Sequence, residues 1–153
     1  MFNRFTKDAR RIVEDAIEVA RELGATTVEA EHLLLAVTRR DTPVALVLSR
    51  HGLDDEGLRA ALVAETERSL AAVGVTAESL TFSPFLDTPR LAASARSALE
   101  LALRVALERG DHRIGVGHVV LGALRPARGT VPRALAIAGV DREQLGAAVG
   151  AVT

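Results

Sequence analysis

The stretch that decides the fold is Thr26–Arg39, TTVEAEHLLLAVTR, because a divergent copy of it returns as His112–Arg125, HRIGVGHVVLGALR. The histidines at the centre of the two copies, His32 and His118, lie 86 residues apart. The run LLLAV in the first copy is apolar nearly all round, which predicts a buried helix. An internal duplication is therefore the first hypothesis.

The similarity continues on both sides of these stretches, which a chance likeness between two apolar helices rarely does. Upstream the spacing stays at 86 residues, and downstream one inserted residue changes it to 87. The coinciding pairs include Ala9 with Ala95, Arg10 with Arg96, Glu14 with Glu100, Gly24 with Gly110, Leu48 with Leu135 and Asp54 with Asp141. Two copies of one four-helix unit are predicted: repeat 1 over about 2–70, a linker over about 71–87 and repeat 2 over about 88–150.

Residues that favour helix ends divide each copy into four helices. Thr6 and Asp54 are typical N-caps, and Thr42–Pro43 is an N-cap followed by proline at the first helical position. In the second copy we expect Thr88–Pro89 to open the first helix in the same way and Asp141 to cap the last. The glycines expected to end helices are Gly24, Gly52, Gly110 and Gly139.

The composition predicts a core that needs neither metal nor disulfide. Of 153 residues, 48% are hydrophobic but only 3% aromatic, and there is no cysteine. Thiolate chemistry is therefore excluded. A net charge of −1 gives no positive field for a phosphate backbone, so nucleic acid is not an expected partner. No apolar run has the length of a membrane span, so we expect a cytoplasmic protein without a membrane partner.

No group of residues has the spacing of a catalytic or metal site, so we expect neither an enzyme nor a cofactor. Gly52–Gly57 has the glycine spacing of a phosphate-binding loop, but Leu58 and Arg59 stand where Lys and Ser or Thr are needed. A turn and helix cap is the better interpretation. His32 and His118 are expected to pack at helix starts with hydrogen bonds to nearby backbone, because no acidic partner stands at metal-ligand spacing.

Glu31 lies in the first turn of the apolar helix, where the helix dipole stabilises a carboxylate and the backbone N–H groups have no helical partner. Two interpretations are open. Glu31 is an ordinary helix-start acid, or it offers its carboxylate to a guanidinium while the N–H groups donate to an anion.

Phenylalanine occurs only as two Phe-x-x-Phe pairs, Phe2 with Phe5 and Phe82 with Phe85. In one interpretation these side chains close the core at the entrance to each repeat. In the other, their faces stay partly exposed beside Arg10 and Val13 and form an aromatic groove for a peptide. Both hold if one Phe of each pair points inward.

Several motifs together resemble the double Clp N-terminal repeat domain that heads the ClpA and ClpC class of unfoldase ATPases, and the ClpC type most. They are MFNRFT-x-x-ARR at Met1–Arg11, EHLLLAV at Glu31–Val37, TP at Thr88–Pro89 and the weaker copy GHVVLGAL at Gly117–Leu124. Motifs, order and repeat spacing agree over essentially the whole chain.

The resemblance implies an all-α domain of eight helices in two pseudo-twofold-related four-helix repeats. Such a domain binds adaptors and substrates for delivery to an ATPase ring and its ClpP peptidase. In ClpC-type domains the Glu of each EH pair engages the guanidinium of phosphoarginine, a degradation mark. Glu31 matches that position in repeat 1, whereas Gly117 occupies it in repeat 2, so the resemblance implies at most one such site.

The resemblance also implies a surface for cyclic peptide antibiotics, formed by an N-terminal Phe, an Arg and a Val of the first helix, and a Phe of the linker. Phe2, Arg10 and Val13 match these positions. Phe85 matches loosely, and we include Phe82 beside it in the predicted surface.

The sequence thus predicts a non-enzymatic module that binds client or adaptor proteins and modulates Clp-dependent proteolysis, by competing with or docking onto a full-length ClpC-type ATPase. The alternative hypothesis is a decoy that sequesters Clp-directed cyclic peptide antibiotics. The 153 residues contain no ATPase module. The divergent second repeat favours a free-standing protein over a segment of a ClpC-like ATPase.

Overall fold

The computed structural model of the protein describes residues 2–74 and 88–153. Within these ranges the chain forms eight α-helices, which confirms the predicted all-α class. The helices are α1 (Lys7–Glu22), α2 (Ala30–Thr38), α3 (Pro43–Arg50), α4 (Asp55–Ala72), α5 (Ala93–Arg109), α6 (Val116–Leu124), α7 (Thr130–Ile137) and α8 (Arg142–Ala151). The described part of the chain contains no helix with the length and apolarity that crossing a membrane requires.

Most of the predicted helix starts are confirmed by their cap hydrogen bonds. The hydroxyls of Thr6 and Thr42 each accept from a backbone N–H three residues on, at 3.1 Å. The Asp54 carboxylate accepts from the N–H of Gly57 at 2.8 Å, so this glycine-flanked turn is a helix cap, as expected. Asp141 caps α8 in the same way.

The predicted start of the first helix in repeat 2 is wrong. Thr88–Pro89 does not open α5, which begins four residues later with Ala92 as its N-cap. The chain stays extended after Pro89 because Arg90 and Leu91 form a strand, β2, that pairs with an earlier strand, β1 (Thr27–Val28). A proline that opens a helix and one that precedes an extended segment share the same φ, so the sequence does not separate them.

Two short backbone pairings relate the repeats to each other. β1 and β2 pair in parallel with Val28 opposite Leu91, and Phe5 forms an isolated parallel bridge with Ile114. Each pairing is the counterpart of the other, since Phe5 lies 86 residues before Leu91 and Val28 lies 86 before Ile114. The residues after Phe5 and Leu91 donate their N–H groups to the carbonyls of Ile114 and Val28 at 2.9 and 2.8 Å. Neither strand was expected.

The helices of the two repeats interlock. The apolar helices α2 and α6 pack against each other at the centre, and α2 buries nearly every side chain from Ala30 to Val37, as expected for the most apolar stretch. α4 of repeat 1 packs on α7 of repeat 2, and in reciprocal fashion α3 packs on α8. Both halves therefore share one hydrophobic core, and a cleft at their junction is lined by residues of both.

α5 and α6 approach each other more closely than a side chain would allow. A Cβ atom added to Gly122 would lie 2.2 Å from the Ala98 carbonyl oxygen and 2.7 Å from the Ala102 backbone nitrogen. Because the obstructing atoms are backbone, no rotamer change can relieve the clash. Gly122 therefore sets the distance between these two helices.

Candidate functional site

Both central histidines hold the start of their helix in place. Nδ1 of His32 accepts the backbone N–H of Glu29 at 2.8 Å, and Nδ1 of His118 accepts that of Gly115 at 2.9 Å. Both rings are buried, and burial lowers the pKa of His32. This confirms the expected packing role, because a ring nitrogen that accepts an N–H hydrogen bond cannot also bind a proton there.

The first turn of α2 is fastened to repeat 2 through Ser94. The Ser94 hydroxyl accepts the backbone N–H of Ala30 at 2.9 Å and donates to the carboxylate of Glu29. Thr27 donates its hydroxyl to the other oxygen of Glu29 at 3.1 Å. The Glu29 carboxylate, which lines one of the adjoining cavities, is therefore occupied by hydroxyl groups, whereas the neighbouring Glu31 lines two of them.

Glu31 is a half-buried carboxylate whose pKa is strongly raised. Its pKa is about 7, well above the ordinary value of 4.5. Burial is the largest cause of the rise, and the nearby carboxylates of Glu29 and Glu65 add to it, whereas a hydrogen bond from its own backbone N–H and the charge of Arg133 act in the opposite direction. Near neutral pH the side chain is therefore poised between its neutral and charged forms. A cationic ligand stabilises the charged form, because it replaces part of the lost hydration.

An ion pair between the repeats lies close to Glu31. Nε of Arg133 on α7 donates to Glu65 on α4 at 2.8 Å, and the hydroxyl of Ser69 donates to the same oxygen at 2.6 Å. The Glu65 side chain is only 6% exposed, whereas that of Arg133 is 56% exposed. Arg133 is therefore anchored through one nitrogen while more than half of its side chain faces solvent.

Sequence analysis missed this ion pair. A signal was available, because Glu65 continues the apolar stripe of α4 formed by Leu58, Ala61 and Leu62 at helical spacing. A carboxylate on a buried helix face requires a partner. No feature of the sequence names Arg133 as that partner, since the contact depends on how the repeats interlock.

Two cavities meet at Glu31. The first, which we call the basic cleft, has a volume of about 430 Å³ and lies between the starts of α2, α5 and α7, with Arg128 and Arg133 among its lining residues. The second, which we call the apolar groove, has a volume of about 460 Å³ and is lined by Leu23, Leu62 and Val63 among others. Glu31 and Thr130 line both cavities.

The basic cleft has a smaller counterpart in the other half of the molecule. That cavity measures about 250 Å³ and is lined by Asp8, Arg11 and Ile12 on α1. At a spacing of 86 residues these correspond to the small side chains Ser94, Ser97 and Ala98 that line the basic cleft. The smaller side chains on α5 account for the larger volume beside Glu31.

The pseudo-equivalent position around Gly117 lacks the charged groups found around Glu31. Gly117 stands at the position of Glu31, and a Cβ atom there would lie 2.0 Å from the hydroxyl oxygen of Thr153, whose side chain covers this point. At a spacing of 87 residues, the counterpart of Arg133 is Leu46, and the counterpart of Glu65 is Val152. Both apolar replacements are well exposed, so the combination of Glu31, Glu65 and Arg133 has no counterpart around Gly117.

Restoring the missing carboxylate does not restore a second site. We expect Gly117→Glu to lower the free energy of unfolding by about 1 kcal/mol, because Thr153 must move aside. We also expect it to leave one bound peptide per chain, because Leu46 supplies no positive charge in place of Arg133. Urea unfolding and a calorimetric titration with an arginine peptide measure both quantities. Two peptides bound per chain would contradict this expectation.

The shifted pKa of Glu31 predicts a pH-dependent effect on stability. A carboxyl whose pKa is raised from 4.5 to about 7 by folding stabilises the protein below its unfolded pKa and loses that contribution as pH rises through 7. The Glu31→Gln variant has no carboxyl group at this position, so it does not lose stability in this way as pH rises. We expect the variant to be more stable than wild type by on the order of 2 kcal/mol at pH 8 and nearly equal at pH 4.5, as measured by urea unfolding. A gain that is equal at both pH values would contradict the shifted pKa.

The predicted aromatic surface is only partly visible. Arg10 is exposed on α1, whereas Val13 retains 9% of its surface and packs in the core. The side chain of Phe2 and all of Phe82 and Phe85 lie outside the described residues. Phe5 is fully buried, which agrees with an inward-facing member of the first pair. Its counterpart in repeat 2 is Leu91, so the two Phe-x-x-Phe pairs do not occupy equivalent positions of the two repeats.

Within residues 2–74 and 88–153, no three His, Asp or Glu side chains come close enough together to hold a metal ion. The arrangement is instead that of an all-α repeat domain with a charged cleft beside Glu31 at the junction of its halves. The chain belongs to the Clp repeat N-terminal domain family, whose model matches residues 4–88 and 90–153.

Curated relatives of the chain are Clp ATPase components. The chain is 33% identical over 143 residues to chaperone protein ClpC1, chloroplastic, of Oryza sativa subsp. japonica, a match that covers 92% of this chain and 14% of that protein. It is likewise 33% identical to the chloroplastic ClpA homolog of Brassica napus, of which it covers 15%. The chain thus corresponds to a small part of the length of these relatives.

Solved structures show the same fold. The N-terminal domain of the chaperone ClpD from Arabidopsis thaliana matches with a TM-score of 0.71 at 22% identity, covering 99% of this chain and 95% of that one. The N-terminal domain of Hsp104 from Candida albicans matches with a TM-score of 0.67 at 16% identity, covering 96% and 89%. These likenesses confirm the predicted architecture of eight helices in two repeats.

Proposed function

We propose that this protein is a non-enzymatic module that binds peptide segments of client or adaptor proteins and thereby modulates Clp-dependent proteolysis. The observation that carries the proposal is the placement of Glu31 between two cavities at the junction of the repeats. Membership of a family of N-terminal domains from Clp ATPases supports it.

Phosphoarginine fits the chemistry of this site. Glu31 offers a carboxylate to the guanidinium, and a planar guanidinium pairs well with a carboxylate. On the same cavity wall, Arg128 and Arg133 offer positive charge to a phosphoryl group. Phosphoarginine thus carries a positive and a negative group, and the site offers a carboxylate to the first and two arginines to the second.

One peptide is expected to bind per chain, at Glu31, because Gly117 and Leu46 stand where a second, pseudo-equivalent site would need its acid and its base. A single site cannot clamp two marks on one substrate. We therefore propose that the protein competes with a full-length ClpC-type ATPase for marked clients, or docks onto that ATPase to pass a client on. The expected cytoplasmic location stays a proposal, since the curated relatives named above are chloroplastic.

A reconstituted degradation assay tests this function. A ClpC ring, its ClpP peptidase and a phosphoarginine-marked substrate are mixed with increasing amounts of the protein, wild type or Glu31→Gln. Wild type is expected to change the degradation rate at concentrations near that of the substrate, and the variant is not. If wild type neither binds the marked substrate nor changes its degradation, the proposed function is wrong.

The alternative, a decoy for cyclic peptide antibiotics, stays a prediction. Of its five predicted residues, Arg10 is available at the surface, whereas Val13 is mostly buried. The other three, Phe2, Phe82 and Phe85, have side chains outside the described residues. Calorimetry with such a peptide on wild type and Phe2→Ala tests it, and equal heats from both would count against this surface.

A further inference from the structure

We propose that the site selects the residues on both sides of the bound arginine, an apolar side chain on one side and an acidic side chain on the other. The proposal rests on the proposed function and adds a sequence preference to it. The observation that supports it is that two chemically different cavities, the basic cleft and the apolar groove, meet at Glu31.

The two cavities adjoin at shared residues. Glu31 and Thr130 line both, so a chain that places an arginine at Glu31 meets the basic cleft in one direction and the apolar groove in the other. Each has a volume within the range of ordinary ligand sites, about 300–1,000 Å³. An extended peptide can therefore occupy both at once.

The apolar groove is suited to an aliphatic or aromatic side chain. Leu23 is 44% exposed and Val63 is 58% exposed, and both lie on its wall beside the partly buried Leu62. The basic residue of this wall, Arg59, is already paired, with its Nε 2.9 Å from the carboxylate of Asp55. An apolar side chain placed here removes exposed apolar surface from water without displacing a charge.

The basic cleft is suited to a carboxylate. Arg128 is exposed, and more than half of the Arg133 side chain is exposed while its Nε pairs with Glu65. The floor beside them consists of small side chains, among them Ser94 and Ser97. When the bound arginine is unphosphorylated, an acidic side chain entering the cleft therefore finds room and two positive charges. Two carboxylates also line the cleft, but Glu29 already accepts hydrogen bonds from the hydroxyls of Thr27 and Ser94, and Glu31 pairs with the bound arginine.

Extended chains place alternate side chains on the same face, with about 7 Å between residues i and i+2. The preferred segment is therefore apolar-x-Arg-x-acidic along the site. The counterpart cavity in the other half cannot apply this selection. Gly117 stands at the position of Glu31, and Arg11 and Ile12 line that cavity where Ser97 and Ala98 line the basic cleft.

The test measures fluorescence anisotropy with short labelled peptides that contain a central arginine. Two peptides carry Leu two residues from the arginine on one side and Glu two residues from it on the other, in the two opposite orders along the chain. They are compared with peptides in which Ser replaces Leu, Gln replaces Glu, or both. We expect one of the two directions to bind about tenfold more tightly than the doubly substituted peptide. Equal affinity for all of these peptides would overturn the inference.

Variants of the protein assign each preference to its cavity. Val63→Ser is expected to abolish the preference for Leu over Ser, and Arg128→Gln the preference for Glu over Gln, so each pair of changes forms a double-mutant cycle. Matched controls on α5 are Leu107→Ser, at an apolar side chain as exposed as Val63, and Arg104→Gln, at an exposed arginine, and neither should change a preference. Preferences that persist in both cavity variants would overturn the inference.

Failure of the inference and failure of the proposed function give different results. If arginine peptides bind through Glu31 without any effect of the flanking residues, the inference is wrong and the function stands. If no arginine or phosphoarginine peptide binds wild type, both are wrong.

Discussion

Glu31→Gln is expected to weaken binding of a phosphoarginine peptide at least about 30-fold at pH 8, because the half-buried guanidinium loses its carboxylate partner and its hydrogen bonds. The variant keeps the size and shape of the side chain and is expected to remain folded, since the buried carboxylate destabilises the protein at this pH. Isothermal titration calorimetry measures the affinity.

The matched control for this prediction is Glu100→Gln. Glu100 is an exposed acid on α5 that lines neither cavity, and its replacement removes the same net charge. The control should bind within about twofold of wild type, because exposed charges at a distance are screened by salt. An equal loss in both variants would mean that net charge, and not the site, controls binding.

The same carboxylate predicts how affinity depends on pH. Because the pKa of Glu31 lies at about 7, only a minor fraction is charged at pH 6 and most of it at pH 8. An unphosphorylated arginine peptide, which does not itself titrate in this range, should bind wild type about tenfold more tightly at pH 8 than at pH 6. In Glu31→Gln the affinity should be flat with pH. A wild-type affinity that falls over this range would contradict the assignment.

Gly122→Leu is expected to cause the largest loss of stability in this protein, at least about 3 kcal/mol in the free energy of unfolding. Its side chain has no space because the backbone of α5 at Ala98 and Ala102 lies within 3 Å of a Cβ atom. The two helices must separate, which opens the core that both repeats share. Urea unfolding followed by circular dichroism measures the loss.

Gly146→Leu is the matched control for that substitution. Gly146 also lies inside a helix, α8, but a Cβ atom there would meet nothing within 4 Å. Its replacement should change the free energy of unfolding by less than about 1 kcal/mol, with helix propensity favouring the variant. Similar losses in the two variants would show that the close approach of α5 and α6 is not what requires glycine at 122.

Much of the fold could be predicted because the duplication is visible in the sequence. The spacing of His32 and His118 located the two central helices, and the cap residues located most helix starts. The predicted start of α5 was wrong because Thr88–Pro89 suits both a helix cap and an extended chain. A long-range pairing with Thr27–Val28 decided between them, and such pairings leave no local signal.

The site was predictable only in part, for the same reason. Glu31 is recognisable by its place in the first turn of an apolar helix. Arg133 and Ser94 reach the site from the other repeat, and their roles depend on how the repeats interlock. Thr153 covers Gly117 because α8 packs against α6, and this packing is likewise not indicated by the sequence.

The central claim is that the duplicated fold has one binding site, at Glu31 between the two repeats. The number of phosphoarginine peptides bound per chain, measured by isothermal titration calorimetry at pH 8, tests it most directly. One peptide should bind wild type, and none should bind Glu31→Gln over the same concentration range. Two peptides per chain, or one whose affinity is unchanged in Glu31→Gln, would contradict the claim.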